Sequence, residues 1–392
     1  MENLTKKSKK SSLNIRQYSM LIALVVIMAL FQILTNGILL KPQNVTNLIL
    51  QNSYVIVLAV GMLLCIVSSG AIDLSVGSVV AFIGALLGVM IIQQGMNVWL
   101  AIVIALLVGA LIGAWQGFWI AYVKIPAFIV TLAGMMIFRG LTQYVLQGMT
   151  LTPFPKEFLA ITSGFLPNIG GGELNLTAFL LGAACIVIYI LSEIKKLQSK
   201  KKRGFSLPSA GAFWGKIVLV TAAIALFTIW LAHYKGIPIL LVILLALVVI
   251  YSFYTSKTVA GRHLYAMGGN EKAAVLSGIN TKKALFYTFV NMGALAALGG
   301  IVFTSRLQAA TPTAGQGFEM DAIAACYIGG ASAMGGSGTI IGAVIGALVM
   351  GVLNNGLSIM GVSSDITQTI KGLVLLAAVI FDVVSKKNAE QV

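Results

Sequence analysis

Residues 98–121 read VWLAIVIALLVGALIGAWQGFWIA, a run of 24 residues without a charged side chain. About 20 apolar residues of α-helix cross the hydrocarbon core of a bilayer, so this run is long enough to span it. Such runs recur along all 392 residues, of which 58% are hydrophobic and only 9% are charged. Soluble domains carry about 25% charged residues. The composition therefore excludes a soluble globular protein and predicts an all-α, polytopic transmembrane helix bundle.

The apolar runs predict about twelve spans in a membrane domain that covers residues 18–385, between a basic tail at 1–17 and a short tail at 386–392. The first run follows the lysine-rich tail, exceeds 20 residues and has no cleavage site, so it is interpreted as an uncleaved signal anchor. The predicted spans are 18–40, 45–68, 75–94, 98–121, 126–147, 174–192, 213–233, 237–255, 284–304, 320–335, 339–357 and 366–384.

The basic residues divide unequally between the loops. With the N-terminus in the cytoplasm, the inner segments hold 20 Lys and Arg residues and the outer segments hold 4. This split obeys the positive-inside rule, so both termini are predicted to be cytoplasmic. It also explains the net charge of +15 without a nucleic-acid partner. The longest connections are then an outer loop at 148–173, a basic inner loop at 193–212 and an inner segment at 256–283.

The inner segment 256–283 contains a sequence that is unlike a linker. Residues 261–280 read GRHLYAMGGNEKAAVLSGIN, with a good N-cap and an acidic first turn for a short helix that begins at Glu271. The preceding glycines are expected to end any earlier helix, and a later glycine to stop this one in a left-handed cap. A short helix with small side chains suits a groove on another protein, whereas an incidental turn in a surface loop is the alternative. The residues assigned to this contact are Gly268, Gly269, Asn270, Glu271, Ala273, Ala274, Ser277 and Gly278.

Polar side chains interrupt several apolar runs. The segment SSGAIDLSVGS at 68–78 separates two spans, and it indicates either a translocation path or a tight turn at the cytoplasmic face. A charged side chain in mid-span costs about 2.5–3.5 kcal/mol, so such residues are expected to face the bundle interior or a wet cavity. The candidates for a path or gate are Asp73, Ser75, Arg139, Gln143, Glu319, Asp321, Asn354 and Asn355.

A glycine-rich stretch near the C-terminus predicts close helix packing. Residues 329–346 read GGASAMGGSGTIIGAVIG, in which Gly338, Gly342 and Gly346 form consecutive GxxxG steps. The stretch does not match a GxGxxG nucleotide loop, and the chain contains no Walker A sequence. No catalytic constellation or metal-ligand spacing is found, and the three cysteines are interpreted as core residues. We therefore expect no catalytic site, metal or cofactor in this chain.

Several motifs, occurring in order over most of the chain, carry a family resemblance. The chain resembles the membrane permease of bacterial ABC importers for ribose, xylose, galactose and related monosaccharides, and it is most similar to the longer, xylose-type permeases. The motifs are AIDLSVGS (71–78), IPAFIVTLAGMMIFRG (125–140), YAMGGNEKAAVLSGIN (265–280), GFEMDAIAACYIGGASAMGGSGTIIGAVIGA (317–347) and VLNNGLS (352–358).

The resemblance implies a transport subunit rather than an enzyme, in the bacterial cytoplasmic membrane. It implies a second permease copy in a homodimer, a cytoplasmic ATPase that binds ATP and Mg²⁺, and an extracytoplasmic sugar-binding protein. The short helix at Glu271 would enter the ATPase, and the substrate would be D-xylose or a related pentose or hexose. The alternative is a secondary transporter driven by protons or sodium, for which Asp73 is the best candidate; a membrane-embedded enzyme ranks third.

Overall fold

The computed structural model describes residues 15–172, 174–205, 207 and 209–390. These residues form fifteen α-helices and one π-helical turn, Gly88–Gln93, that extends the third helix. The helices are α1 Ile15–Leu34, α2 Pro42–Ser69, α3 Val76–Leu87, α4 Val98–Ala121, α5 Ala127–Leu146, α6 Lys156–Ser163, α7 Leu176–Lys202, α8 Ala210–Ala232, α9 Ile239–Lys257, α10 Val259–Gly269, α11 Glu271–Leu276, α12 Thr281–Leu307, α13 Phe318–Ile328, α14 Ile340–Ile359 and α15 Ser364–Glu390.

Long apolar helices dominate the part of the chain that the structure describes. Nine of them are long and apolar enough to cross a membrane, and Met20–Leu34 is a shorter apolar helix. The predicted all-α, polytopic fold is therefore confirmed, while the number of spans stays a prediction.

Helix α2 lies at the centre of the bundle. In its most apolar stretch 83% of the residues are buried, against 22% in α9. The residues from Val55 to Val67 are apolar on all sides of the helix, which is typical of a helix surrounded by others. Helices α12, α13, α14, α9 and α10 all pack against α2. The central helix thereby lines both cavities described below, with residues 51–54 in one and Leu64 in the other.

The predicted helical span at 320–335 is wrong. Helix α13 ends at Ile328 after 11 residues, which is about 16 Å and half of the hydrocarbon core. Residues 329–339 continue without helical structure, and the Gly336 N–H donates to the carbonyl of Val67, 2.9 Å away at the end of α2. Positive φ angles at Gly330, Gly335 and Gly336 divert the chain from the helical path.

The glycine steps lie in two different structures. In α14, Gly342 and Gly346 face α13 so closely that an added Cβ would lie 2.2 Å from the Gly329 carbonyl oxygen and 1.9 Å from that of Ala325. Gly338 precedes the helix with a φ of +148° and packs against Leu63 of α2. The predicted close packing is therefore present at all three glycines, but Gly338 makes its contact from the non-helical segment 329–339 rather than from a helix.

The long connections contain more helix than the hydropathy pattern predicted. The outer loop 148–173 includes α6, in which Phe158 is fully buried. The Thr162 and Ser305 hydroxyls lie 2.9 Å apart and join α6 to α12. Helix α7 continues to Lys202 and so occupies half of the stretch 193–212 that was predicted as a loop. The exposed Cys185 of α7 also contradicts its interpretation as a core residue.

Candidate functional site: two polar regions of the bundle

The first polar region surrounds the start of α3. Asp73 lies in the non-helical segment 70–75, where its Oδ1 accepts from the Ser75 N–H at 2.8 Å and from the Ser75 hydroxyl at 2.7 Å. Gln116 of α4 donates to the same hydroxyl at 2.7 Å. Asp73 is 3% exposed, and burial raises the pKa of its carboxyl to about 6. The carboxylate therefore organises the turn into α3 and faces the interior of its own chain.

Arg139 holds a second non-helical segment, residues 308–317, against the bundle. Its guanidinium donates to the Ala314 carbonyl at 2.6 Å and to the Pro312 carbonyl at 3.5 Å. This brings Gly315 against Gly77, where an added Cβ would lie 2.2 Å from the Gly315 carbonyl oxygen. The basic side chain is thus bound by backbone oxygen atoms of its own chain.

These contacts leave polar groups on one side of the chain, which we call the polar face. Gln143, Thr313 and Gln316 are exposed there, and Arg139 and Glu319 are half-buried. The Glu319 carboxylate lies over the first turn of α3, 2.5 Å from a Cβ added at Gly77. A negative charge at this place is favourable, because the N-terminus of a helix carries partial positive charge. Apolar neighbours such as Met136, 69% exposed, surround the polar face.

The second polar region is a cavity of about 460 Å³ where α14 ends and α15 begins, called the polar cavity below. It lies between α2, α14 and α15, and four amides, four hydroxyls and one lysine supply its polar groups. These residues are Gln51, Asn52, Asn354, Gln368, Tyr54, Ser358, Ser364, Thr367 and Lys371. The Asn354 Oδ1 atom is buried without a hydrogen-bond partner among the described residues, so it is available to a donor in the cavity.

Asp321 neutralises the charge in the wall of the polar cavity. Its carboxylate is 1% exposed, lies 3.0 Å from the Lys371 ammonium and accepts from the Tyr54 hydroxyl at 3.2 Å. The Tyr54 ring stacks on Phe318 with 3.8 Å between centroids, and both rings meet the edge of Phe303. The cavity therefore combines neutral hydrogen-bonding groups with a fixed aromatic side chain.

The predicted path residues thus separate into groups. Asp73, Ser75, Arg139, Gln143 and Glu319 belong to the first region, whereas Asp321 and Asn354 belong to the polar cavity. Asn355 contributes to neither, because its amide bonds to Asn44 and Gln51 and ties α14 to α2. Of the nine polar residues that line the cavity, sequence reasoning identified only Asn354. The only signal was Lys371, a basic residue in a predicted span.

The match to known proteins covers nearly the whole chain. The model of a family described as branched-chain amino acid transport system / permease component matches residues 44–379. The chain belongs to this permease family. The xylose transport system permease protein XylH of Haemophilus influenzae is 39% identical over 97% of this chain and 99% of that protein. XylH of Escherichia coli K12 is 38% identical over 96% of this chain and 94% of that protein.

Ribose permeases are similar as well. The ribose import permease protein RbsC of Bacillus subtilis is 35% identical over 94% of this chain and 92% of that protein. No solved structure matches the chain significantly. The resemblance to permeases of monosaccharide importers is confirmed, and the chain is a multi-pass membrane permease.

The permease carries the predicted short helix at the opposite end of α2. Helix α11 begins after Asn270, whose side chain accepts from the Ala273 N–H at 3.0 Å, and the chain turns at Gly278 with a φ of +81°. Helix α10 ends at Gly269, where Gly268 and Gly269 were predicted to end it. An added Cβ at Gly268 would lie 1.8 Å from the Val67 carbonyl oxygen, so this glycine is required for packing on α2.

One of the residues assigned to the contact, Ala274, faces inward, whereas Ala273 and Ser277 are exposed. Ala274 is 4% exposed and packs with Leu64, Leu264 and Met267 of its own chain. It therefore cannot be the side chain that a partner's groove receives. Leu276, at 89% exposure, and Val275, at 52%, point outward instead. In a helix of only six residues, the neighbouring elements decide which side chains are buried. The sequence does not reveal those neighbours.

Proposed function

We propose that this permease carries a monosaccharide, with D-xylose as the first candidate, through an ATP-driven importer that receives its substrate from a binding protein. The relatives are named as xylose and ribose permeases. The observation that carries the proposal in this chain is the polar cavity. Its volume of about 460 Å³ lies within the range of about 300–1,000 Å³ that is typical of small-molecule sites.

The chemistry of the polar cavity suits a neutral polyol. Each sugar hydroxyl both donates and accepts, and amides and hydroxyls offer both functions. Asn354 has an unused acceptor, and the Tyr54 ring supplies an apolar surface for the C–H face of a sugar. The Lys371 ammonium is paired with Asp321, so the cavity holds little net charge.

A second copy of the chain is proposed to cover the polar face. Exposed polar groups at membrane depth are tolerated only inside protein or along a wet cavity. Gln143, Thr313 and Gln316 therefore need a partner other than lipid tails. The self-complementary packing of a two-fold dimer would provide one.

The remaining partners follow from the topology. Both termini and α11 are proposed to face the cytoplasm, because 20 of the basic residues then lie inside and 4 outside. A separate ATPase would bind ATP and Mg²⁺ and receive Leu276, since the chain itself has no nucleotide motif. The binding protein would dock on the outer side near α6.

Uptake by proteoliposomes that contain the complete importer tests the sugar site. We expect Asn354→Leu and Gln368→Leu each to weaken xylose uptake about tenfold or more, because a buried sugar hydroxyl is left unpaired. Gln198→Leu, on the exposed part of α7, is the matched control and keeps normal uptake. Unchanged uptake in both cavity variants would overturn the site. Uptake driven by a proton gradient without ATP would favour the secondary transporter.

Co-purification tests the ATPase contact. Leu276→Asp is expected to abolish recovery of the ATPase with normal permease abundance, because this side chain is 89% exposed and supports no core. Leu207→Asp is the control, since Leu207 is 46% exposed in another predicted inner connection. Full recovery with Leu276→Asp would mean that α11 is only part of a linker.

A further inference from the structure

A second cavity lies near the end of the bundle that carries α10 and α11. Its volume is about 270 Å³, and it opens between α9, α10 and α12. Three tyrosines, Tyr251, Tyr254 and Tyr287, line it together with Asn291. Its apolar floor includes Leu264 of α10. This cleft belongs to neither polar region, because those lie along α3 and between α2, α14 and α15.

Asn291 offers an unused donor to the cleft. Its Oδ1 accepts from the Tyr251 hydroxyl, whereas its buried Nδ2 has no partner in the part of the chain that the structure describes. An unpaired buried amide N–H is costly unless a ligand or water accepts from it. The cleft therefore calls for an acceptor such as an ester carbonyl.

Two lysines lie one helical turn beyond the tyrosines. On α12, Lys283 precedes Tyr287 by four residues, and on α9, Lys257 follows Tyr254 by three, so each pair shares a helix face. Both lysines are exposed, and neither forms an ion pair with another described residue. The rim of the cleft is thus cationic, while its wall is aromatic and its floor apolar.

A cationic rim, an aromatic wall and an apolar floor together match a molecule with an anionic head and an apolar tail. Tyrosines are enriched where the hydrocarbon meets the headgroups, and basic residues just beyond them attract anionic lipids. Ile250 lines the same cleft and is 62% exposed, so the cleft opens toward the lipid. We propose that the cleft between α9 and α12 binds an anionic glycerophospholipid, with its phosphate at the lysine rim and an ester carbonyl at Asn291.

The bound lipid would stabilise the cytoplasmic segment. Leu64 and Leu264, in the floor of the cleft, also belong to the apolar cluster that receives Ala274 of α11. Ordering this cluster would hold α11 in position for a partner. This consequence rests on the proposed ATPase contact, whereas the lipid site itself does not.

Lipid retention by the purified permease tests the site. Native mass spectrometry in detergent would count phosphatidylglycerol and phosphatidylcholine bound to the wild-type chain, to Lys257→Gln/Lys283→Gln and to Asn291→Leu. We expect wild type to retain phosphatidylglycerol preferentially. The lysine variant should bind it about tenfold more weakly, since each basic residue near the surface contributes attraction. Asn291→Leu should weaken both lipids, because it removes the donor without changing the charge.

The control variant also removes two lysine charges, but at a different place in the chain. Lys200→Gln/Lys201→Gln alters the basic end of α7 and should retain phosphatidylglycerol as wild type does. Equal retention by the two lysine variants would overturn the site, as would equal retention of both lipids by wild type. Binding of soluble glycerol phosphate as tight as that of the lipid would show a phosphate site instead and would also overturn the proposal. Gel filtration restricts the comparison to folded variants.

Discussion

The polar face and the polar cavity contain similar residues but use them differently. Glu319 and Asp321 lie two residues apart on α13, about 200° apart around the helix, so one faces α3 and the other faces α15. On the polar face, Arg139 is bound by backbone carbonyls and positions a non-helical segment. In the cavity, Lys371 and Asp321 neutralise each other, and the amides stay available. A charged residue within a span therefore need not mark the substrate path, and here the uncharged residues are the better candidates.

The largest effect is expected where a mostly buried charge would lose its partner. Asp321→Asn leaves Lys371 without its counter-ion, and breaking a buried pair costs about 3–5 kcal/mol. Thermal unfolding of the purified permease measures this loss. Adding Lys371→Met should recover part of it. Asp365→Asn, at an exposed position on α15, is the control with little effect. A normal unfolding midpoint for Asp321→Asn alone would show that the pair is not closed in the folded protein.

The second effect concerns Asp73 and depends on pH. Because burial raises the pKa of its carboxyl from 3.8 to about 6, ionisation opposes folding. The stability contributed by the protonated form is complete below about pH 4 and is lost as pH rises to about 6, by up to about 3 kcal/mol. Asp73→Asn, which keeps an acceptor for Ser75, should remove this part of the pH dependence. Unfolding midpoints measured from pH 4 to pH 8 compare the variant with wild type, and parallel curves would contradict the prediction.

A smaller effect is expected at Arg139. Arg139→Met removes the short charged hydrogen bond to the Ala314 carbonyl in the segment 308–317, and a bond of this kind contributes about 1.5–3 kcal/mol. The segment should loosen while the helices stay folded. A cysteine at Thr313 would then react faster with a water-soluble maleimide in the variant than in wild type. Arg262→Met, on the exposed side of α10, is the matched control. Equal labelling rates would show that the contact between Gly77 and Gly315 alone holds the segment in place.

Much of the architecture could be predicted from the sequence. Uninterrupted apolar runs require helices, because backbone groups in lipid must bond within their own segment. The helix cap at Asn270 was also predictable, because it depends on local sequence only. The Asn270 side chain accepts from the N–H of the residue three positions later. Local chemistry also identified Asp73, Arg139 and Asp321 as unusual residues before any contact was known.

Tertiary structure decided which way those residues face. In helices that are apolar on every side, periodicity gives no direction, so the sequence could not show that Ala274 faces inward and Leu276 outward. Nor could it show that α13 stops after 11 residues, because the glycines that follow it also permit close packing. In the polar cavity, residues 51–54 of α2 meet residues 354–371 of α14 and α15, which lie at least 300 positions later in the chain. Hydrogen-bonding groups that converge from such distant segments share a site only after the helices have packed.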